Sequence, residues 1–216
     1  MIDRQKVKTG RKLAQVSQGA RDIFLRDGYS GASVDDIAGA AKVSKATLYS
    51  YFPDKRLMFE EAMQTEHQRL EAASPLSIDH TAEPAEAIPM LTRQIAEWLM
   101  SAEIVRLHRV HIAEAARFPA VALRYHEVMA KVLRNPLRSH LDRWVARGHL
   151  QIDDTALAAD QLIRLAGAET QDMAMLSDRL DLQAAQITRV ADSAAQLFLS
   201  AYSVVGQPGR RLGAAR

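Results

Sequence analysis

Residues 33–55 read SVDDIAGAAKVSKATLYSYFPDK, and the fold is decided there. Ser33 has the hydroxyl of a helix N-cap, and Asp35 and Asp36 follow in the first turn, where the helix dipole favours negative charge. Val34, Ile37, Ala38 and Ala41 recur at helical spacing and form a face to bury, with Ala38 small where two helices of such a motif would cross. Lys42 to Ser44 make a turn, and Ser44 can cap a second helix, Lys45 to Phe52. Leu48 and Phe52, four apart, face inward and leave Thr47, Ser50 and Tyr51 for a partner. Two short helices joined by a tight turn are the layout of a helix-turn-helix, whose second helix enters a DNA groove. Pro53 suits the first turn of a further helix running to about Leu70, long enough to link two bodies.

Working outward, residues 11–27 carry Leu13, Val16, Ala20, Ile23 and Phe24 as one apolar stripe, closed by Asp27-Gly28. Ahead of it, Arg4, Lys6, Lys8, Arg11 and Lys12 read as a basic arm suited to flanking phosphates. Residues 73–85 are rich in Pro, Ser and Ala and read as a loop. Every later segment has helical period. The stripes are Ile88 to Leu99, Ile104 to Ala115, Val121 to Leu133, Leu137 to Val145, Leu157 to Leu176 and Ile187 to Ala201. Asn135-Pro136 should kink or break its helix, and Asp153 or Asp154 should cap the next. The expectation is an all-α chain of about nine helices. It divides into a head over 1–55, a larger helical body over 56–205 and a disordered tail over 206–216.

Composition narrows the chemistry. The 216 residues include no cysteine, which excludes disulfides, thiolate metal ligation and cysteine nucleophiles and fits the cytoplasm. No apolar run reaches membrane-spanning length, and the charged start is not followed by an apolar segment, so neither a membrane partner nor a secretory signal is expected. Net charge is only +2, but six of the seven lysines lie at or before Lys55. A cationic front on a slightly anionic body suits a phosphate-binding head.

The run GARDIFLRDGYSGASVDDIAGAAKVSKATLYSYFPDKRLMFEEAM resembles the DNA-binding domain of the TetR/AcrR family of transcriptional regulators, over about residues 10–63. Its specific features are the aromatic-containing helix ending in G-Y, the Ser-capped helix with I-A inside, and V-S-K-x-T-L-Y-x-Y-F-x-x-K. Later segments, EAARFPA and WVARGHLQIDDTALAADQL, are similar to the C-terminal domain of AefR-like members. The resemblance implies an all-helical homodimer that represses by binding a palindromic double-stranded DNA operator until a small molecule releases it. Carried over onto the matching positions, it implies DNA contacts at Ser33, Ser44, Lys45, Ala46, Thr47, Tyr49, Ser50, Tyr51 and Lys55. Lys45 and Lys55 serve there as phosphate clamps, and the Ala46 methyl is placed to meet a thymine methyl. The family commonly has Gly where this chain has Lys42, so a left-handed turn there would strain Lys by roughly 1 kcal/mol.

An effector pocket is expected among the inner stripes, with candidate lining Trp98, His108, His111, Tyr125, Met129, Arg164, Glu169 and Met173. The expected effector is a small apolar or amphipathic molecule. His108-x-x-His111 with Glu114 has the spacing of metal ligands on one helix face, but no further ligand can be assigned, so no metal or cofactor is expected. No nucleophile elbow or phosphate loop is present, which leaves an enzyme as the weakest reading, behind an activator or an effector-independent DNA binder. The last two helices should form the dimer interface, with Ala191, Ala194, Ala195 and Ala201 allowing close approach.

Overall fold

A computed structural model describes residues 4–79, 81–177 and 183–204. The phosphate contacts expected of Arg4, Lys6, Lys8 and Arg11 and the disorder expected over 206–216 lie outside the described positions and side chains. The described residues form eleven α-helices and one π-helical turn, with no strand among them. The all-α expectation holds, and the count exceeds the expected nine or so chiefly because the stripe Leu157 to Leu176 is two helices, parted at Gly167 to Glu169.

Cα proximity divides the chain into two compact units. The first takes the chain to Ala73 together with Ala102–Val128. It contains α1 (Arg4–Gly31), α2 (Val34–Ala41), α3 (Lys45–Tyr51), α4 (Lys55–Glu71), α6 (Ala102–Ala113) and most of α7 (Pro119–Met129). The second takes Ser74–Ser101 and the chain from Met129 onward. It contains α5 (Pro84–Leu99), the π turn Ala130–Arg134, α8 (Asn135–Ala146), α9 (Thr155–Ala166), α10 (Thr170–Leu176) and α11 (Ala184–Tyr202).

In the first unit α1 is longer than its apolar stripe and bends at Gly28, whose φ of 70° and ψ of −179° belong to a region open essentially to glycine alone. The residues after the bend continue as a helical turn to Gly31. α1 crosses α2 at Gly19, where an added Cβ would stand 2.6 Å from Ala41 N, so backbone contact sets the spacing there. Phe24, Phe59, Ile37, Leu48, Met58 and Met63 are fully enclosed and make the core, extended by edge and tilted ring contacts among Phe24, Tyr29, Phe59 and Phe118.

A charged cluster is enclosed beside that core. Glu66 of α4 is 1% exposed and is bonded by Arg21 of α1, at 3.2 Å for one of two contacts, and by Arg69. Glu103 of α6 accepts from both arginines. A buried carboxylate is tolerable only when paired in this way.

In the second unit α11 packs on α5 and α9, with Ala191, Ala194 and Ala195 buried against them. That corrects the expectation that these alanines face a partner. Their small side chains let helices of one protomer approach. Asp154 caps α9 as expected, accepting from Ala156 and Leu157 N–H. At Pro136 the chain stays helical, with helical dihedrals at Arg134 and Asn135 on its N-terminal side. The π turn just before it routes Asn135 N–H to Ala130 O, and so absorbs the crowding that a proline brings to the preceding turn.

Candidate nucleic-acid interface

The chain between α1 and α4 is built by local hydrogen bonds. Ser33 accepts from Asp36 N–H at 3.0 Å and donates to the Asp36 carboxylate at 2.7 Å, closing the start of α2. α2 ends in a left-handed residue, Lys42 (φ 51°, ψ 46°), after which Val43 N–H reaches back to Ala38 O at 3.0 Å. The strained turn at Lys42 is therefore present. From α1, Gln15 adds an amide hydrogen bond to Ala41 O at 2.7 Å.

Ser44 caps α3, accepting from Thr47 N–H at 3.1 Å, and its hydroxyl lies 2.9 Å from Thr47 Oγ1. Leu48 has no exposed surface and pins α3 to the core. Phe52 takes extended dihedrals, the conformation that a following proline enforces, and ends the helix. α4 then begins at Lys55, capped by Asp54, so Pro53 precedes the helix instead of opening it.

With α3 held at its cap, its core residue and its end, one face stays outside. Ser44, Lys45, Ala46, Tyr49 and Ser50 are exposed, Tyr49 by 48%, while Thr47 and Tyr51 are half-buried. Lys45 Nζ rests 2.7 Å from Asp35, on the exposed surface between α2 and α3. Ser50 is turned back onto Thr47 O at 2.7 Å. Lys55 differs from the expectation of a phosphate clamp. Its ammonium donates to Tyr29 O at 2.8 Å and Ala32 O at 2.9 Å and lies 4.5 Å from the Tyr29 ring centre. It satisfies carbonyls left open where α1 bends, and so orients the start of α4 against α1.

Of the effector candidates, the first unit gathers three, His108, His111 and Tyr125. It adds one that the sequence reading missed, His67 of α4. His67 and His111 meet at 2.9 Å between their Nε2 atoms, and the His111 and Tyr125 rings stack at 4.1 Å and 16°. Burial lowers both imidazoles to about 4. His111 spends its other nitrogen on Leu107 O, and Glu114 accepts from Tyr29 N–H and pairs with Arg117, so both are taken up by protein contacts. His67 was detectable in principle, since it lies on the α4 face marked by Phe59, Met63 and Leu70. The other candidates, Trp98, Met129, Arg164, Glu169 and Met173, belong to the second unit. Trp98 and Met129 are half-buried. Arg164 lines a groove between α9 and α11, Glu169 pairs with Arg189, and Met173 is 45% exposed.

Two family models match the chain. Residues 17–62 match bacterial regulatory proteins of the tetR family, and residues 86–204 match the AefR-like transcriptional repressor C-terminal domain. The chain belongs to the TetR family. It is a DNA-binding transcriptional regulator by fold and domain content, and TetR regulators are not enzymes. Among solved structures, a TetR-family transcriptional regulator from Mesorhizobium loti MAFF303099 is 28% identical, with 90% of this chain and 98% of that one covered at a TM-score of 0.75. The flavonoid-responsive regulator FrrA is 31% identical, with 91% and 100% covered at 0.70. A TetR regulator from Agrobacterium tumefaciens, 18% identical, shares the fold with 91% and 96% covered at 0.74. No curated protein matches the chain. Among the described residues, no helix is long and apolar enough to cross a membrane.

Proposed function

We propose that this TetR regulator is a cytoplasmic repressor that binds a palindromic operator as a homodimer and is released by a small, largely apolar effector. The observation that carries the reading is the exposed face of α3, with Lys45, Ala46, Tyr49 and Ser50 presented outward from a helix anchored by Leu48. Lys45 exchanges its Asp35 partner for a phosphate, the Tyr49 hydroxyl bonds a second phosphate, and Ala46 reads a thymine methyl. Ser33, Ser44 and Thr47 act as caps that aim their helix ends, and Lys55 positions the head.

The second copy docks on the α9–α11 groove. It has a volume of about 600 Å³, with Leu165, Phe198 and Ala201 in its lining and the exposed Leu157 and Leu197 beside them. Isolated from a partner, so apolar a surface is unfavourable in water. Two-fold pairing there duplicates α3 at the ~34–36 Å spacing of one DNA turn. The similarity to FrrA supports the effector class. An aromatic, flavonoid-like molecule bound in the body shifts the population toward a state whose heads no longer match successive grooves.

The test is selection of bound sequences from a random DNA library, followed by titration of the selected site. The expected result is an inverted repeat, bound at least tenfold more weakly by a Lys45→Ala/Tyr49→Ala variant that stays dimeric. Leu197→Glu should sediment as a monomer and lose the repeat. Selection of no sequence, or undiminished binding by the α3 double variant, refutes the reading.

A further inference from the structure

From Ser33 to Lys55 the chain carries three cations, Lys42, Lys45 and Lys55. Two are held by the protein. Lys45 Nζ lies 2.7 Å from Asp35, and Lys55 donates to Tyr29 O at 2.8 Å and Ala32 O at 2.9 Å. Lys42 is exposed, and among the described residues its ammonium enters no hydrogen bond or ion pair. The acids nearest in sequence, Asp35 and Asp36, open the other end of α2, about 10 Å away along the helix.

The Lys42 backbone is as distinctive as its charge. It takes φ 51° and ψ 46°, a left-handed conformation that crowds the Cβ of an L-residue against the following carbonyl oxygen. Lys42 and Glu169 are the non-glycine residues with positive φ among those described, whereas at Gly28 and Gly148 the chain meets the same demand with glycine. The turn itself needs only main-chain atoms, because Lys42 N–H bonds Gly39 O at 3.1 Å and Val43 N–H bonds Ala38 O at 3.0 Å. Glycine would make both bonds without strain. A cation near the end of α2 gains from the helix dipole, but a lysine in the last helical turn would gain as much with no left-handed residue. A long charged side chain held at such a position breaks a local rule, and such breaks concentrate where function outweighs the local optimum.

The place in the fold indicates which function. Two steps of chain, spanning at most about 7 Å, separate Lys42 from Ser44, the cap of α3. In a helix-turn-helix the first helix crosses the DNA backbone and the second enters the groove with its N-terminal residues at the bases. The turn between them therefore lies beside the groove's edge, where the phosphates run. We infer that Lys42 is a phosphate contact of this regulator, clamping the DNA backbone beside the N-terminal end of α3. It supplies the free cation that Lys55, spent on Tyr29 O and Ala32 O, does not. The inference rests on the DNA-binding reading above and adds to it one residue and one kind of contact, charge without sequence preference.

The test is the salt dependence of DNA affinity, measured by fluorescence anisotropy on the full-length protein with two labelled duplexes, one carrying the selected inverted repeat and one of mixed sequence. Lys42→Gly should unfold at an equal or higher urea midpoint and bind both duplexes more weakly. Its plot of log affinity against log salt should be flatter by about 1.8, two phosphates per bound dimer at roughly 0.9 each, and Lys42→Arg should keep the wild-type slope. Lys42→Asn, which also tolerates the left-handed turn, should match Lys42→Gly. An unchanged slope in either neutral variant overturns the inference and leaves the DNA-binding reading standing. So does a loss by Lys42→Arg as large as that by Lys42→Gly, or a loss confined to the selected repeat, because Lys42 then only shapes the turn. If wild type binds neither duplex, the inference and the DNA-binding reading fall together.

Discussion

Acid should unfold the first unit from within, through the His67–His111 pair. At pH 7 the two rings are neutral in the folded and the unfolded chain, and no proton-linked difference exists. As pH falls through 6.5 the unfolded imidazoles take protons, whereas burial holds the folded ones neutral down to about 4. The unfolded state then binds more protons, so stability declines with falling pH across that window. At pH 5 each ring loses about 2 kcal/mol, and the pair about 4 kcal/mol, a large share of the roughly 5–15 kcal/mol that holds a typical domain folded. Glu66 and Glu71 oppose the shift of His67 and Arg124 reinforces it, with desolvation dominant.

The assay is urea unfolding at half-unit steps from pH 7.5 to 4.5, followed by far-ultraviolet dichroism. Trp98 and Trp144 both lie in the second unit, so tryptophan fluorescence reports that unit separately. The comparison is with a His67→Leu/His111→Phe variant, which keeps every other titrating group. Wild type should lose about 4 kcal/mol relative to the variant between pH 7 and pH 5. Parallel pH dependences over that range would refute the assigned burial and neutrality of the pair.

Two further substitutions test the head. Lys42→Gly places glycine at the left-handed turn and should stabilise the chain by about 1 kcal/mol, read as a higher urea midpoint at unchanged slope. Gly19→Ala drives a methyl into Ala41 and should destabilise by about 1–3 kcal/mol in the same measurement, unless α1 and α2 separate, which a change in operator affinity would reveal.

The head was readable from sequence because its determinants are local. Ser33 and Ser44 cap within three residues, Leu48 sits in period with its helix, and the left-handed residue falls between two short helices. What failed was set by distant neighbours. Lys55 looks like a free cation in sequence, and only the bend at Gly28, 27 positions earlier, supplies the carbonyls that claim it. Ala191, Ala194 and Ala195 carry the signature of close helix packing without saying whose helix, and α5 and α9 of the same chain fill that role. His67 was passed over because an imidazole on an apolar stripe has no meaning until His111 stands 2.9 Å away.

The same distant contacts bind the head to the His67–His111 pair through one helix. α6 touches α1 through Glu103 at its first turn, paired with Arg21. The turn just beyond its last residue touches α1 again through Glu114, which accepts from Tyr29 N–H at 3.2 Å next to the Gly28 bend. Arg117 reinforces that end, donating to Ser30 Oγ at 2.9 Å and lying 5.0 Å from the Tyr29 ring centre. His111 lies on α6 between the two attachments, and its partner His67 is on α4, one residue from the buried Glu66 that Arg21 also holds. A displacement of α6 must therefore carry α1 with it or break ties to the enclosed ion cluster and the glycine bend. α1 in turn sets the position of α2 through the backbone contact at Gly19, and α2 sets that of α3 through the strained turn at Lys42. The recognition face is thus fixed to α6 by a chain of close contacts in which each link is enclosed, short or conformationally restricted, leaving little slack to absorb a shift before it reaches α3.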